Sequence, residues 1–200
     1  MKIVVINNYK ELNQADRAVL NIEKCTGQPV EKIDCKEPHL HSKVVESGPD
    51  LVVLTGSSAL LSKPRTRELF QPEIDLVRNA KFPVLGICYG HQIIGSAFGT
   101  PTRDLGQMLR RYEKVSIVLN HPLFEGLPSD VVVAESHRQE LTKVPDEFQH
   151  LAQSTTSKVE AIAHRSKPIY GVQFHPERSN DEHPHGRIIV QNLLKQIRGA

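Results

Sequence analysis

Apolar runs alternate with amphipathic segments through the first half of the chain. Uninterrupted apolar runs are typical of strands that are buried on both faces of a parallel sheet. Segments with apolar residues every three or four positions predict helices that cover such a sheet. The predicted strands are Lys2–Ile6, Pro29–Asp34, Asp50–Thr55 and Phe82–Ile87, and the predicted helices are Gln14–Lys24, Leu40–Glu46, Glu68–Ala80 and Gly90–Phe98. This alternation favours an α/β fold with a mostly parallel, doubly wound sheet flanked by helices.

The pattern changes after about Leu105, where short segments alternate apolar and polar residues between turn signals. Such segments predict a small additional region of antiparallel or mixed strands. The predicted strands are Tyr112–Val118, Asp130–Glu135, Val159–Ala163 and Pro168–Phe174, and a last helix is predicted at Arg187–Ile197. We find no internal repeat or linker, so we expect one domain over residues 1–200.

Composition and charge limit the kinds of partner and location that we expect for this chain. With 200 residues and 38% hydrophobic side chains, the chain can bury a core and a recessed site without a disulfide or a structural metal. A formal charge of +2 gives no strong field for nucleic acid or an anionic membrane, and we expect neither as a partner. No segment has the roughly 18 apolar residues that span a bilayer, and the first residues do not resemble a signal peptide. We therefore expect a cytoplasmic protein.

The three cysteines, Cys25, Cys35 and Cys88, contain no CxxC pair and are odd in number. They indicate neither a disulfide framework nor a zinc site, and at least one thiol is free for chemistry. The short pairs His39/His41 and His183/His185 are better explained as solvated loops than as metal sites. We assign no metal ligand.

Cys88 lies in the stretch GICYGHQ at residues 86–92, between a predicted strand and a predicted helix. The G-x-C-x-G pattern has the form of a nucleophile elbow, a sharp turn that presents a reactive side chain. The flanking glycines leave room for neighbouring elements, and the positive end of the following helix favours a thiolate. The alternative is a buried structural cysteine, which is the commoner fate of this residue type. The glycines and the strand-to-helix context favour the nucleophile.

A thiolate nucleophile needs a histidine that carries protons and a group that orients the histidine. His175-Pro176-Glu177 directly follows a predicted strand. Residues two apart in an extended segment point to the same side, so Glu177 can reach one imidazole nitrogen while the other faces Cys88. Taken alone, this tripeptide is more often an ordinary turn. In combination with the elbow it favours a catalytic pair of His175 and Glu177.

Together these motifs resemble those of the class I (triad) glutamine amidotransferases, whose glutaminase domains carry G-x-C-x-G-x-Q and a downstream G-x-Q-x-H-P-E. Here the second motif is GVQFHPE at residues 171–177. The resemblance covers essentially the whole chain. It implies a flavodoxin-like core and a triad of Cys88, His175 and Glu177 that releases ammonia from the side-chain amide of L-glutamine.

Three further segments look most like the glutaminase of GMP synthases, including the separate glutaminase subunit of archaeal two-subunit enzymes. They are AESHRQE at 134–140, LAQS at 151–154 and VEAI at 159–162. This resemblance implies that ammonia passes to an ATP-pyrophosphatase synthetase subunit, which converts XMP to GMP and carries ATP and magnesium. No cofactor is expected in this chain.

The resemblance also implies further site residues. The backbone of Gly56, Ser57 and Tyr89 is expected to form the oxyanion hole, and the expected glutamine contacts are Gln92, Ser136 and His137. The chain departs from the branch pattern at Ser57-Ser58, where relatives carry Gly-Pro, at Gln139, where an acidic residue is usual, and at residues 7–11, where D-x-G-x-Q is usual. Serine costs more than glycine in a left-handed conformation, so the sequence leaves open whether the Ser57 N–H is oriented in advance.

Two other functions remain open from the sequence. One is a hydrolase that acts alone on γ-glutamyl amides or conjugates, or an amidotransferase of another pathway. The other is a catalytically silent glutaminase-like module that regulates a partner. The complete triad argues against the silent module, whereas a collapsed oxyanion hole at Ser57 would favour it.

Overall fold

The structure, a computed structural model, describes residues 1–199, and the strands in this range form one nine-stranded sheet. The strands are β1 Ile3–Asn7, β2 Val30–Asp34, β3 Leu51–Leu54, β4 Val84–Ile87, β5 Thr102–Ile117, β6 Asp130–Leu141, β7 Phe148–Gln153, β8 Ala161–His164 and β9 Ile169–Val172. The helices are α1 Leu12–Thr26, α2 Leu40–Ser47, α3 Pro64–Leu69, α4 Gln71–Arg78, α5 Tyr89–Ala97 and α6 His185–Arg198, with short 3-10 helices at Pro122–Phe124 and Pro176–Arg178. Within residues 1–199 we find no helix with the length and apolar character needed to cross a membrane.

The sheet order is β2-β1-β3-β4-β9-β8-β7-β5-β6. The first five strands in this order are parallel, which is the flavodoxin-like arrangement and confirms the predicted α/β fold. The remaining neighbours are antiparallel. The carboxyl ends of parallel strands meet at one edge of a sheet. The residues that follow β1, β3, β4 and β9 therefore lie close together.

Two apolar clusters cover the two faces of the sheet, as a doubly wound fold requires. Side chains of β1 alternate between them, with Ile3 and Val5 in one cluster and Val4 and Ile6 in the other. The first cluster includes buried residues of α1 and α6, and the second includes buried residues of α2, α4 and α5. Because both faces are covered, the central strands read as continuous apolar runs in the sequence.

The predicted helix Glu68–Ala80 is confirmed over Gln71–Arg78 but begins too early, because the chain forms two helices that meet at Phe70. Pro72 lies in the first turn of α4, where its missing N–H costs nothing, whereas inside one long helix it would break a hydrogen bond. The break also changes which residues face the core. In one continuous helix, the apolar spacing would place Leu69 on the buried side, but it belongs to the end of α3 and is 62% exposed.

The antiparallel region is larger than predicted. The strand expected at Tyr112–Val118 begins at Thr102, and the strand expected at Asp130–Glu135 extends to Leu141, so that β5 and β6 form a long hairpin. Most side chains between 102 and 111 are exposed, so this part of β5 lacks the apolar alternation that would have predicted it. A register shift between Asp104 and Leu109, around Gly106 at φ 78°, further obscures the period. Strand β7 was not predicted.

Candidate active site

Cys88 occupies a sharp turn between β4 and α5. Its backbone has φ 53° and ψ −96°, a left-handed conformation that is costly for any residue with a Cβ. The Cys88 N–H donates to the Val172 carbonyl of β9 at 2.8 Å, which anchors the turn. A Cβ on Gly86 would lie 2.5 Å from the Gly90 backbone, and one on Gly90 would lie 2.5 Å from the Leu54 carbonyl oxygen. The two glycines of the motif are therefore needed for close packing around the strained cysteine.

His175 and Glu177 lie just beyond the end of β9. Glu177 Oε1 is 2.7 Å from Nδ1 of His175, and both side chains are buried. The Cys88 sulfur lies near enough to the imidazole to help raise its pKa. The His175 N–H donates to the Ala134 carbonyl at 2.8 Å, which ties this segment to β6. The structure thus brings the three predicted triad residues together.

The charges of the triad side chains stabilise one another. Burial alone would lower the pKa of His175, but the Glu177 carboxylate and the Cys88 sulfur outweigh it and raise that pKa to about 9. Burial would likewise raise the pKa of Glu177, but the His175 imidazolium and the Arg178 guanidinium hold it below the ordinary value. At neutral pH, His175 is therefore protonated and Glu177 is ionised.

Two of the three predicted oxyanion-hole residues, Ser57 and Tyr89, border the same cavity as Cys88. Ser57 and Tyr89 line this cavity of about 190 Å³, and within residues 1–199 neither of their N–H groups has an acceptor. Gly56 packs against the histidine, since a Cβ there would lie 2.9 Å from His175 Cε1. Free N–H groups beside a thiol are what an oxyanion requires.

Ser57 carries no left-handed backbone strain in this loop. Ser57 does not have a positive φ, so its Cβ carries no left-handed penalty. Its hydroxyl donates to the Asn8 carbonyl at 2.8 Å and accepts from the Ala59 N–H at 3.1 Å. The serine that departs from the branch pattern is therefore an integral part of the loop.

The three predicted glutamine contacts also line the cavity, but they differ in what they present to it. The Gln92 amide group donates to the Gln139 carbonyl at 2.7 Å, and the Ser136 carbonyl accepts from the Cys88 thiol at 3.6 Å. The His137 ring is turned into the protein, 3.1 Å from the Gln139 carbonyl and 3.3 Å from Glu135. Burial lowers the pKa of His137, so this ring is neutral.

Gln173 is a site residue that the sequence reasoning did not single out. Its side-chain amide donates to Cys88 Sγ at 3.6 Å, and its Oε1 accepts from Gln92 at 3.3 Å. Gln173 is fully buried. It stands two residues before His175 in the GVQFHPE motif, and membership of this motif is the signal that could have singled it out.

Glu73 of α4 is a fully buried acid behind the Gly56–Ser57 loop. Its Oε1 accepts from the Asn8 side chain at 3.0 Å, while Oε2 has no partner in the part of the chain that the structure describes. Burial raises the pKa of Glu73 to about 8, although the Asn8 hydrogen bond opposes the shift. The acid is therefore mainly protonated at neutral pH.

The Glu73 shift predicts how stability depends on pH. A raised folded-state pKa contributes stability that is complete below pH 4.5 and is lost as the pH rises towards about 8. Glu73→Gln keeps a side-chain oxygen that can accept from Asn8 and removes the carboxyl group that titrates. Between pH 4 and pH 7, we expect the unfolding free energy of the wild type to fall by about 3 kcal/mol relative to that of Glu73→Gln. Denaturant unfolding across this range measures this fall. Glu68→Gln, at an exposed position, is the control, and a Glu73→Gln curve parallel to wild type would contradict the prediction.

Comparisons with known proteins converge on one family. The sequence model described as "Glutamine amidotransferase class-I" matches residues 4–196. The A subunit of the glutamine-hydrolysing GMP synthase of Archaeoglobus fulgidus is 35% identical over 88% of this chain and 89% of the relative. The protein of the same name from Methanococcoides burtonii is 32% identical over 98% of this chain and 96% of the relative. The protein of the same name from Methanocaldococcus jannaschii is 42% identical over 61% of this chain. This match covers 64% of the relative, so the chain spans slightly less than two thirds of that relative's length.

Solved structures agree with the fold. A protein of Thermoplasma acidophilum, provisionally assigned as the A subunit of a GMP synthase, has a TM-score of 0.83 and 27% identity, with 100% of this chain and 94% of that chain covered. A glutamine amidotransferase of Thermotoga maritima has a TM-score of 0.80 with 15% identity, covering 100% of this chain and 99% of that chain. At 15% identity the second comparison shows the fold alone.

Proposed function

The chain belongs to the class I glutamine amidotransferase family, and from this premise we propose that it hydrolyses L-glutamine to glutamate and ammonia through a thioester on Cys88. The observation that carries the proposal is that the strained Cys88 turn, the His175 imidazole and the Glu177 carboxylate lie together, with 2.7 Å between the last two side chains. A thiol, an imidazole and an orienting carboxylate in this order form a nucleophilic triad.

In the first step, the Cys88 thiolate forms a bond to the side-chain amide carbon of glutamine, and an electron pair moves onto the carbonyl oxygen. The Ser57 and Tyr89 N–H groups donate to this oxyanion, each lowering the barrier by about 3 kcal/mol. The imidazolium of His175 gives its proton to the amide nitrogen, the carbon–nitrogen bond breaks, and ammonia leaves.

In the second step, the neutral imidazole of His175 takes a proton from water, whose oxygen attacks the thioester carbon. The carbon–sulfur bond breaks, which releases glutamate and returns Cys88 and His175 to their starting charges. Glu177 keeps the proton of His175 on the correct nitrogen and stabilises the imidazolium. The Gln92 carbonyl group and the Ser136–His137 segment are proposed to hold the substrate in the adjoining cavity. No step requires a metal or cofactor from this chain.

We further propose that the ammonia passes to an ATP-pyrophosphatase synthetase subunit that converts XMP to GMP. Support comes from the relatives, which are named as the A subunits of GMP synthases. In this scheme the partner holds ATP and magnesium, and one domain over residues 1–200 supplies ammonia. We place the reaction in the cytoplasm, where reducing conditions keep a catalytic thiol free.

The test measures glutamate release by the full chain, alone and mixed with the synthetase of the same organism plus XMP and ATP. We expect the mixture to release glutamate and to form GMP from glutamine. High turnover of γ-glutamyl amides without any partner would instead indicate the hydrolase that acts alone. Absence of glutamate release in every mixture would indicate the silent regulatory module.

A further inference from the structure

The Thr55 hydroxyl lies between the loop that follows β1 and the loop that carries Ser57. Thr55 is 1% exposed, and its Oγ1 accepts from the Asn8 N–H at 2.9 Å. The same hydroxyl donates to the Gly56 carbonyl at 3.0 Å. A hydroxyl has one proton to donate, so the Asn8 N–H on one side directs that proton to Gly56 on the other.

The orientation of the Gly56 carbonyl decides where the Ser57 N–H points. In a trans peptide the C=O of one residue and the N–H of the next point in opposite directions within one plane. The chain has no cis peptide within residues 1–199. Because Gly56 C=O is held towards Thr55 Oγ1, the Ser57 N–H is held away from it, on a loop that borders the Cys88 cavity.

Without the Thr55 hydroxyl this peptide plane would be free to rotate. Among the described residues, the Gly56 carbonyl accepts no other hydrogen bond. Glycine also imposes little restriction on its own backbone angles, so a flip of the Gly56–Ser57 peptide carries little steric cost. A flipped peptide would direct a carbonyl oxygen to the place where the oxyanion needs a donor.

The rest of the loop is anchored independently of this hydroxyl. The Asn8 side chain donates to the Thr55 carbonyl at 3.1 Å, and the Gly90 N–H of α5 donates to the same carbonyl at 3.2 Å. Ser57 Oγ donates to the Asn8 carbonyl. These bonds fix the ends of the loop, so removal of the hydroxyl should affect one peptide plane and leave the loop in place.

We propose that Thr55 is a positioning residue, whose hydroxyl orients the Gly56–Ser57 peptide so that the Ser57 N–H is ready to donate to the oxyanion. The inference rests on the proposed glutaminase function. It assigns the orientation of the Ser57 N–H to a residue that lies outside both sequence motifs.

Thr55→Ser and Thr55→Ala form a matched pair, because they differ only in the hydroxyl and lack the same methyl group. We expect kcat for glutamine to be at least about tenfold lower in Thr55→Ala than in Thr55→Ser, since loss of one oxyanion donor costs about 10²–10³ in kcat. The KM values should agree within about threefold. The rate of Cys88 alkylation by iodoacetamide, which needs no oxyanion hole, should be equal in the two variants.

Thr55→Val, which keeps the branched shape, provides a second hydroxyl deletion in case Thr55→Ala does not fold, and the same loss of kcat is expected. Equal kcat with and without the hydroxyl, in an active wild type, would overturn this inference alone. A parallel loss of Cys88 alkylation would also overturn it, because the whole site would then have changed. A wild-type chain that releases no glutamate, alone or with the synthetase, would overturn the proposed function and this inference with it.

Discussion

Cys88→Ala is expected to lower glutamate release from glutamine by about 10⁴-fold or more, because no other group can form the thioester. Glutamine should still bind, since the cavity walls around Ser57, Gln92 and Ser136 stay in place. The measurement pairs a turnover assay with calorimetric titration of glutamine. In the wild type, mass spectrometry of a rapidly quenched reaction should find the γ-glutamyl adduct on the peptide that contains residue 88.

The other two cysteines provide the control. Burial raises the pKa of Cys25 to about 12, with a further contribution from the Glu177 carboxylate. Burial also raises the pKa of Cys35 to about 12, and the Glu73 carboxyl contributes. Both therefore remain unreactive thiols at neutral pH. Cys35→Ala should keep wild-type turnover and should still be inactivated by iodoacetamide. Substantial glutamate release by Cys88→Ala would exclude the thioester mechanism.

The position of the cysteine turn was predictable because local sequence and packing demand the same residues there. A strained cysteine between a buried strand and a helix needs small neighbours, and the contacts of Gly86 and Gly90 show no room for a Cβ. The partnership of His175 and Glu177 was predicted from an extended segment, but Glu177 lies in the 3-10 helix Pro176–Arg178, and the two side chains meet across this turn instead. In both cases a short motif contains the residues concerned.

The roles of Thr55 and Asn8, which sequence reasoning missed, depend on contacts between distant segments. The hydrogen bonds of Thr55 and Asn8 link the ends of β1 and β3, which are 47 residues apart in the chain. The Ser136–His137 segment was predicted to help hold glutamine, but its sequence did not reveal that the pleat of β6 turns the His137 ring inward towards Glu135. Neither the direction of a strand face nor a bond between loops is contained in a local pattern, because both arise only when the sheet is assembled.

Glu177→Gln should lower kcat by about 10³–10⁴-fold while glutamine binding changes little. The substituted amide can still accept a hydrogen bond from His175 Nδ1, but it has no charge to stabilise the imidazolium. The carboxylate is one of the two groups that hold the pKa of His175 at about 9 against the effect of burial. Its neutralisation should therefore lower that pKa and leave too little imidazolium to protonate the departing ammonia.

The pH profile separates this role from a general loss of structure. In the wild type, turnover should fall as the pH rises through about 9, because His175 then loses the proton that ammonia requires. In Glu177→Gln, this alkaline limb should move to lower pH, whereas an unfolded fraction would lower kcat equally at every pH. Glu182→Gln, an exposed acid five residues further along the chain, should keep both the wild-type rate and the wild-type limb. An alkaline limb that stays near pH 9 in Glu177→Gln would show that the carboxylate does not set the charge of His175, and its assignment to the triad would fail.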